Sequence, residues 1–357
     1  MNHGLLLLYG SRAPGTPHRS RHPRSAPARQ PQGKGKTTID STLVRRLLTT
    51  QYPHWSHLPL TLLEPAGSDH VIHRLGDTMS VRLPRSDWAD GEAAKEHAWL
   101  PLLAPQLPLA VPEPLALGAP GCGYAWHWSI TRWLDGTTAT ADGLTDPDLT
   151  ARQLAEFLRS LQTAPAADTL RPGPHPELTR APLATRDRAT REAIAAVDGV
   201  FDTAALTEVW DNALDAPAWD REPVWCHGDF HTGNLLTVDG RLSAVIDFGG
   251  LGMGDPACDL AIAYTLLSAT TRPLFRAALA LDDATWTRGM GWALTTGLNA
   301  YTSYAATDPR VARQSARQLT EVLTEHTGVT STDRPTPAAS GPGWADSRPA
   351  NHGARRR

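Results

Sequence analysis

Two short apolar runs, residues 235–238 and 242–248, are joined by Asp239-Gly240. An Asp-Gly pair between such runs is the signature of a two-residue β-hairpin, because both turn positions need positive φ. A chain that reverses here carries its polar flanks with it. His227-x-Asp229 and Asn234 precede the first run, and Asp247-Phe248-Gly249 closes the second. Any fold that forms the hairpin therefore draws three oxygen-bearing side chains, those of Asp229, Asn234 and Asp247, towards one end of one ribbon.

Such a set suits a particular chemistry. Phosphoryl transfer is mostly positioning and charge neutralisation: magnesium bridges phosphate oxygens, and a carboxylate accepts the proton of the attacking hydroxyl. Magnesium takes hard oxygen ligands, which a carboxylate from Asp247 and the amide oxygen of Asn234 supply. Asp229 is left to orient the nucleophile as base. The spacing of His227, Asp229 and Asn234, and the Asp-Phe-Gly that follows, matches a kinase catalytic loop and its metal-binding turn. Gly249 and Gly250 are expected to permit the turn after Asp247. Either motif alone reads equally well as turn chemistry with capping aspartates; their order and separation argue for the joint reading. His227, Asp229 and His231 also resemble the start of a transition-metal hydrolase site. Gly233 and the strand after it break the helix such a pair of imidazoles needs, and Asn234 would have no task there.

The chain has 357 residues, 41% hydrophobic and 20% charged, enough to bury one large core or two closely packed lobes. Its three cysteines, Cys122, Cys226 and Cys258, have no C-x-x-C spacing, which argues against a disulfide framework and against a cysteine-zinc site. A reducing cytoplasm fits that usage. No apolar run reaches the length of a membrane span, so no membrane partner is expected. The net charge of -3 hides a basic segment, residues 1–36, with seven Lys/Arg and no Asp/Glu, ahead of an acidic body. That segment has no aromatic or helical periodicity, so it reads as a disordered tail over 1–37 and not as a nucleic-acid arm. Gly35-Lys36-Thr37 resembles the end of a P-loop, but the first glycine of that motif would fall on Gln30.

Order is expected from about Thr38, with Ser41 opening a helix that carries Leu43, Val44, Leu47 and Leu48. Residues 60–63, 71–74 and 79–83 read as antiparallel strands, 92–103 as a helix, and 111–117 and 125–133 as further strands. After Gly136 the chain turns helical, with Asp146-Pro147 as cap and first-turn proline. A Pro-rich connector covers 164–182. Helices follow at 184–197, 203–215, 256–268, 272–281, 284–305 and 309–326, and a second disordered tail occupies 327–357.

Residues 224–236 and 244–263 resemble the hallmark segments of the aminoglycoside phosphotransferase family, relatives of choline and homoserine kinases. Gly254-Asp255-Pro256 followed by Asp259-Leu260-Ala261 matches its G-D-P-x-x-D-L-A pattern. The resemblance implies an α+β, two-lobed protein-kinase-like fold. A small antiparallel-sheet lobe with one helix (38–132) would bind nucleotide, and a larger, mainly helical lobe (133–326) would hold catalysis and substrate. It implies γ-phosphate transfer from ATP or GTP, with Mg2+, to a small-molecule hydroxyl. By analogy Arg82 stands where kinases place a phosphate-binding lysine, with Glu96 as its ion-pair partner and Glu92 second. Gly67-Ser68-Asp69 would turn over the phosphates, and the segment from Ile130 through Arg132 and Trp133 would read the adenine edge. Asp259 would brace the catalytic loop. Arg82 in place of lysine keeps open a non-catalytic nucleotide-binding module. Nine Asp/Glu against three Arg over 187–222 suggest either an acidic acceptor wall or a solvated helical surface. Trp286, Trp292, Tyr301 and Tyr304 would stack on an amino-alcohol, sugar or antibiotic acceptor, or else fill the core.

Overall fold

The computed structural model describes residues 39–63, 69–165, 181–304 and 306–328, with Trp88 as backbone only. The first expected tail, most of the second, most of the Pro-rich connector and Ser68 lie outside the described residues.

The chain opens with α1 (Ser41–Gln51), whose N-cap is Asp40 rather than Ser41: its carboxylate accepts from Leu43 N at 2.8 Å. Leu43, Val44, Leu47 and Leu48 line its buried face. Five antiparallel strands follow: β1 (Leu60–Leu62), β2 (His70–Leu75), β3 (Met79–Pro84), β4 (Pro114–Gly118) and β5 (Trp128–Arg132), in the spatial order β1-β2-β3-β5-β4. Gly76, at φ 59°, makes the tight β2–β3 turn. Between β3 and β4 runs α2 (Glu92–Leu103). Val81, Leu83, Ile130 and Trp128 pack with α1 in a small core of their own. In contrast, Leu100 and Leu103 of α2 join the larger core, so this helix is shared between the two halves.

The larger half holds β6 (Thr137–Thr138), α3 (Pro147–Thr163), α4 (Asp187–Ala196), α5 (Thr203–Asp215), β7 (Val224–Cys226), β8 (Leu235–Val238), β9 (Arg241–Val245), β10 (Gly252–Gly254), α6 (Ile262–Thr265), α7 (Arg272–Leu279), α8 (Asp283–Tyr304) and α9 (Pro309–Thr327). Asp146 caps α3 through Leu149 N at 2.9 Å, ahead of Pro147. Strands β8 and β9 form the hairpin, with Asp239 and Gly240 at φ 52° and 73°. Strand β6 extends this ribbon, and β7 pairs with β10. One stretch departs from its periodicity. The helix expected over 256–268 is a 3₁₀ segment, Pro256–Ala261, followed by the single α-turn of α6. Pro256 at the first position and the Asp255 carboxylate on Ala257 N (3.0 Å) tighten its opening turn.

The molecule is thus a two-lobed α+β protein, a sheet flanked by α1 and α2 and stacked on a mainly helical body. Among the described residues no helix is long and apolar enough to cross a membrane.

Candidate active site

The loop after β7 is fastened from below. Asp259, fully buried, accepts from His227 N and Gly228 N with separate oxygens, each at 2.7 Å. His227 adds a second tie: its Nδ1 accepts from Asp229 N (3.3 Å), so its Nε2 carries the proton given to Ile246 O (3.1 Å). Burial pushes this imidazole's pKa down, which keeps it neutral in that role. Phe230 stacks on Phe157 of α3 at 5.6 Å between centroids, and Phe248 lies 4.5 Å from the His227 ring. A fixed loop leaves Asp229 as the part that faces outward, its side chain 30% exposed.

Around Asp229 the polar groups converge. Asn234 Nδ2 donates to Asp229 O (2.9 Å) and to its Oδ2 (3.2 Å), and His231 Nε2 lies 3.4 Å from that same oxygen. His231 Nδ1 accepts from Gly233 N (2.9 Å), which fixes the ring. Asn234 O accepts from Ile246 N (2.9 Å), so the hairpin puts Asn234 beside the residue preceding Asp247. Asn234 Oδ1 is buried with no hydrogen-bond partner. An orphaned buried amide oxygen costs about 1–3 kcal/mol, which a cation or water bound at that atom would offset. Oxygen from Asn234 and carboxylate from Asp247 form the donor set that magnesium prefers.

Asp247 sits at φ 64° and ψ 69°, in the left-handed region, which ends β9 at Val245 short of the expected 248. The strained residue is thus the aspartate itself. Gly249 and Gly250 instead give room: a Cβ on Gly249 would lie 2.5 Å from the Glu92 carboxylate, and one on Gly250 2.9 Å from His227 O. Across the cleft, Arg82 Nη1 binds both Glu96 oxygens (3.0 and 2.9 Å), and its Nη2 donates to Asp247 Oδ1 at 3.0 Å. Glu96 Oε1 also accepts from Phe248 N (3.0 Å). Burial, the largest influence, would raise the Asp247 carboxyl; the surrounding groups, Arg82 first, with His70 and His227, together outweigh it and hold the pKa below the ordinary value. Glu92 is the reverse case. Its burial, added to the charges of Asp247 and Glu96, lifts it to about 8, while burial and Arg82 push His70 down to about 3. The 3.8 Å contact between His70 and Glu92 is therefore a pair of neutral groups at pH 7.

A cleft of about 600 Å³ opens between the lobes, lined by Leu62, Ile72, Ser80, Arg82, Ile246 and Asp247 and by the segment Thr131 to Leu134. Arg132 borders it, its side chain paired with Glu113 on the surface. Ile130 does not. It is fully buried in β5, aligned with Val81 on one side and Ala116 on the other, so both its strand edges are paired. The residues at the lobe junction that border the cleft begin one position later. Trp133 lies under Arg74, 4.6 Å from the ring centroid.

A second recess lies on the other side of Asp229, bordered by His231, Cys258, Trp292, Thr296, Asn299 and Arg186. Trp286 is core and bonds Glu325, whereas Trp292 reaches this recess beneath Arg186 (5.0 Å). The acids of 187–222 follow the surface reading where their bonds are defined: Asp187 binds Trp210 and Arg191, and Asp211 binds Arg191. Among the described residues Asp229 is the one carboxylate at the recess. The hydrolase arrangement does not form. His227 has both ring nitrogens committed to the backbone, and the described residues close enough to share a metal are Cys226, Cys258 and Asp259.

A sequence model of the phosphotransferase enzyme family, APH, matches residues 64–292. The chain belongs to this family. Among solved structures, the GDP complex of a point mutant of aminoglycoside 2'-phosphotransferase-IIIa superposes with a TM-score of 0.63 at 22% identity, covering 81% of this chain and 99% of that one. The GDP and kanamycin complex of APH(2")-IIia gives 0.61 at 23% identity, over 80% and 98%. Macrolide 2'-phosphotransferase MphH from Brachybacterium faecium gives 0.52 at 24%, over 78% and 98%. Likeness at these identities fixes the kinase-like APH fold. No curated protein sequence matches the chain. Within this APH chain, sequence reasoning missed the Arg82–Asp247 contact, whose partners lie 165 residues apart; Glu92, expected as the second partner of Arg82, lies with its carboxylate against Gly249.

Proposed function

We propose that this phosphotransferase moves the γ-phosphate of ATP or GTP onto a hydroxyl of a small molecule presented to Asp229 at the mouth of the recess, whose volume of about 30 Å³ admits the reacting group and not a whole sugar. The nucleotide occupies the cleft, against the Thr131–Leu134 segment and beneath β1 and β2. Arg82, positioned by Glu96, supplies a fork of donors suited to phosphate oxygens. Asn234 and Asp247 hold Mg2+, which when bound neutralises charge on the phosphate oxygens. Asp229 orients the acceptor hydroxyl and takes its proton; the Asn234 amide and the His231 ring fix its carboxylate in place.

The observation that carries this reading is the buried, unpartnered Asn234 Oδ1 on the same ribbon as Asp247. The acceptor is an amino-alcohol or a sugar-bearing molecule of the antibiotic type, received by Trp292 and the polar side chains of α8. A panel of aminoglycosides, macrolides, choline, homoserine and simple sugars with ATP or GTP, read by mass spectrometry, tests the acceptor class. A phosphorylated product from wild type, lost roughly 10²–10⁴-fold in Asp229→Asn while nucleotide still binds, is the expected result. Unchanged turnover in that variant removes Asp229 from the role.

A further inference from the structure

The underside of the loop after β7 carries two thiols that phosphoryl transfer does not use, beside the carboxylate that braces the loop. Cys226, Cys258 and Asp259 are all buried, and their two thiols and a carboxylate oxygen lie within 4.8 Å of one another. Cys226 ends β7, one residue before His227, and its Sγ lies 3.5 Å from both Val224 O and Asp255 O. Cys258 Sγ is 3.7 Å from Asp259 Oδ1. The sequence separates the cysteines by a hairpin and gives no metal-like spacing; the pairing of β7 with β10 and the 3₁₀ segment after it bring them together.

We propose that Cys226, Cys258 and Asp259 form a site for a soft divalent ion of the zinc or cadmium class, distinct from the magnesium site. Tetrahedral coordination with bonds of about 2.3 Å to sulfur and 2.0–2.2 Å to carboxylate needs ligand atoms roughly 3.5–3.8 Å apart. The Cys258–Asp259 separation already meets this, and a thiol rotation of about an ångström or less brings the others in. Two thiolates select a soft ion over magnesium. Cys258 also lines the recess that exposes Asp229, the side from which an ion would reach the site. Binding takes the balanced form of one divalent ion plus two thiols giving a dithiolate complex and two protons. The ion then draws on the Asp259 carboxylate, whose oxygens hold His227 N and Gly228 N. The loop that carries Asp229 loosens, and soft ions inhibit turnover without competing with magnesium.

The test is titration of the full chain with Cd2+, following the ultraviolet thiolate-to-metal charge-transfer band. One equivalent with release of about two protons is expected, and turnover falls in parallel at saturating Mg2+. Cys226→Ser or Cys258→Ser loses the band and the inhibition, whereas Cys122→Ala keeps both. If a serine variant does not fold, wild type alone decides: Zn2+ should protect Cys226 and Cys258, and not Cys122, from alkylation measured by peptide mass spectrometry. No band in wild type, a band that survives both serine changes, or equal alkylation of the three thiols with and without Zn2+ overturns the site. The charge-transfer band, the proton release and the alkylation pattern do not depend on which acceptor or nucleotide the enzyme uses.

Discussion

Arg82 is the residue on which both lobes lean. It is buried at 8% exposure and neutralises two carboxylates, Glu96 from α2 and Asp247 from the far side of the cleft. Removing one member of a buried pair leaves an uncompensated charge, at about 3–5 kcal/mol. Arg82→Met is therefore expected to destabilise the chain by about that much in urea unfolding, and Glu96→Gln in the same chain should return part of the loss. Glu92 yields a prediction about pH. Its carboxyl is protonated in the folded state up to about 8, whereas the unfolded chain ionises it near 4.5. Its contribution is thus fully present below pH 4.5 and is lost as pH rises through 8. Glu92→Gln should match wild type at acid pH and exceed it above pH 8, by on the order of 5 kcal/mol, in thermal melts across that range. The residues that bear oxygen were legible from spacing alone, since Asp229, Asn234 and Asp247 flank one hairpin. The charge partners were not, because Arg82 and Asp247 meet only after both lobes have formed.

Among the elements, the glycines after Asp247 show what pattern reading reaches and where it stops. A turn was expected there, and one forms, but Asp247 takes the positive φ and Gly250 instead clears space for the catalytic loop. A Cβ at 250 would lie 2.9 Å from His227 O and 3.0 Å from the Gly228 carbonyl carbon, both backbone that cannot swing aside. Gly250→Ala should cost about 1–3 kcal/mol of stability and lower turnover with little change in nucleotide affinity, measured by melts and by steady-state kinetics. Helix α2 was legible over its full length, and so was the start of α3, where the Asp146 cap and Pro147 agree with the apolar period. The segment 256–268 was misread as one helix. Its apolar residues satisfy a helical period, yet Pro256 and the Asp255 cap tighten the turn, and Asp259 is aimed at the loop above rather than along a helix.

For the whole molecule, the two-lobed plan was what the family resemblance of 224–236 and 244–263 implied, and the strand-rich stretch ahead of a helix-rich one agreed with it; neither gives the angle or width of the cleft. The recess at Trp292 and Arg186 lies beyond sequence reading for the same reason, since α8 and the 183–186 turn approach the catalytic loop only in the assembled body. Ligands that bind the folded chain raise its melting temperature by mass action. With Mg2+ alone the shift should be small, and with Mg2+ and nucleotide together it should exceed the sum of the separate shifts. Asn234→Leu should abolish that excess in differential scanning fluorimetry. The reason lies in the bridge from Arg82 to Asp247. A divalent ion arriving at this aspartate meets a counter-charge already seated there, and the guanidinium it displaces needs a new anion. On the proposed function a triphosphate entering beside the ion would provide one, so loading the cleft would replace an internal counter-ion with an external one, and each newcomer would make the other's entry easier.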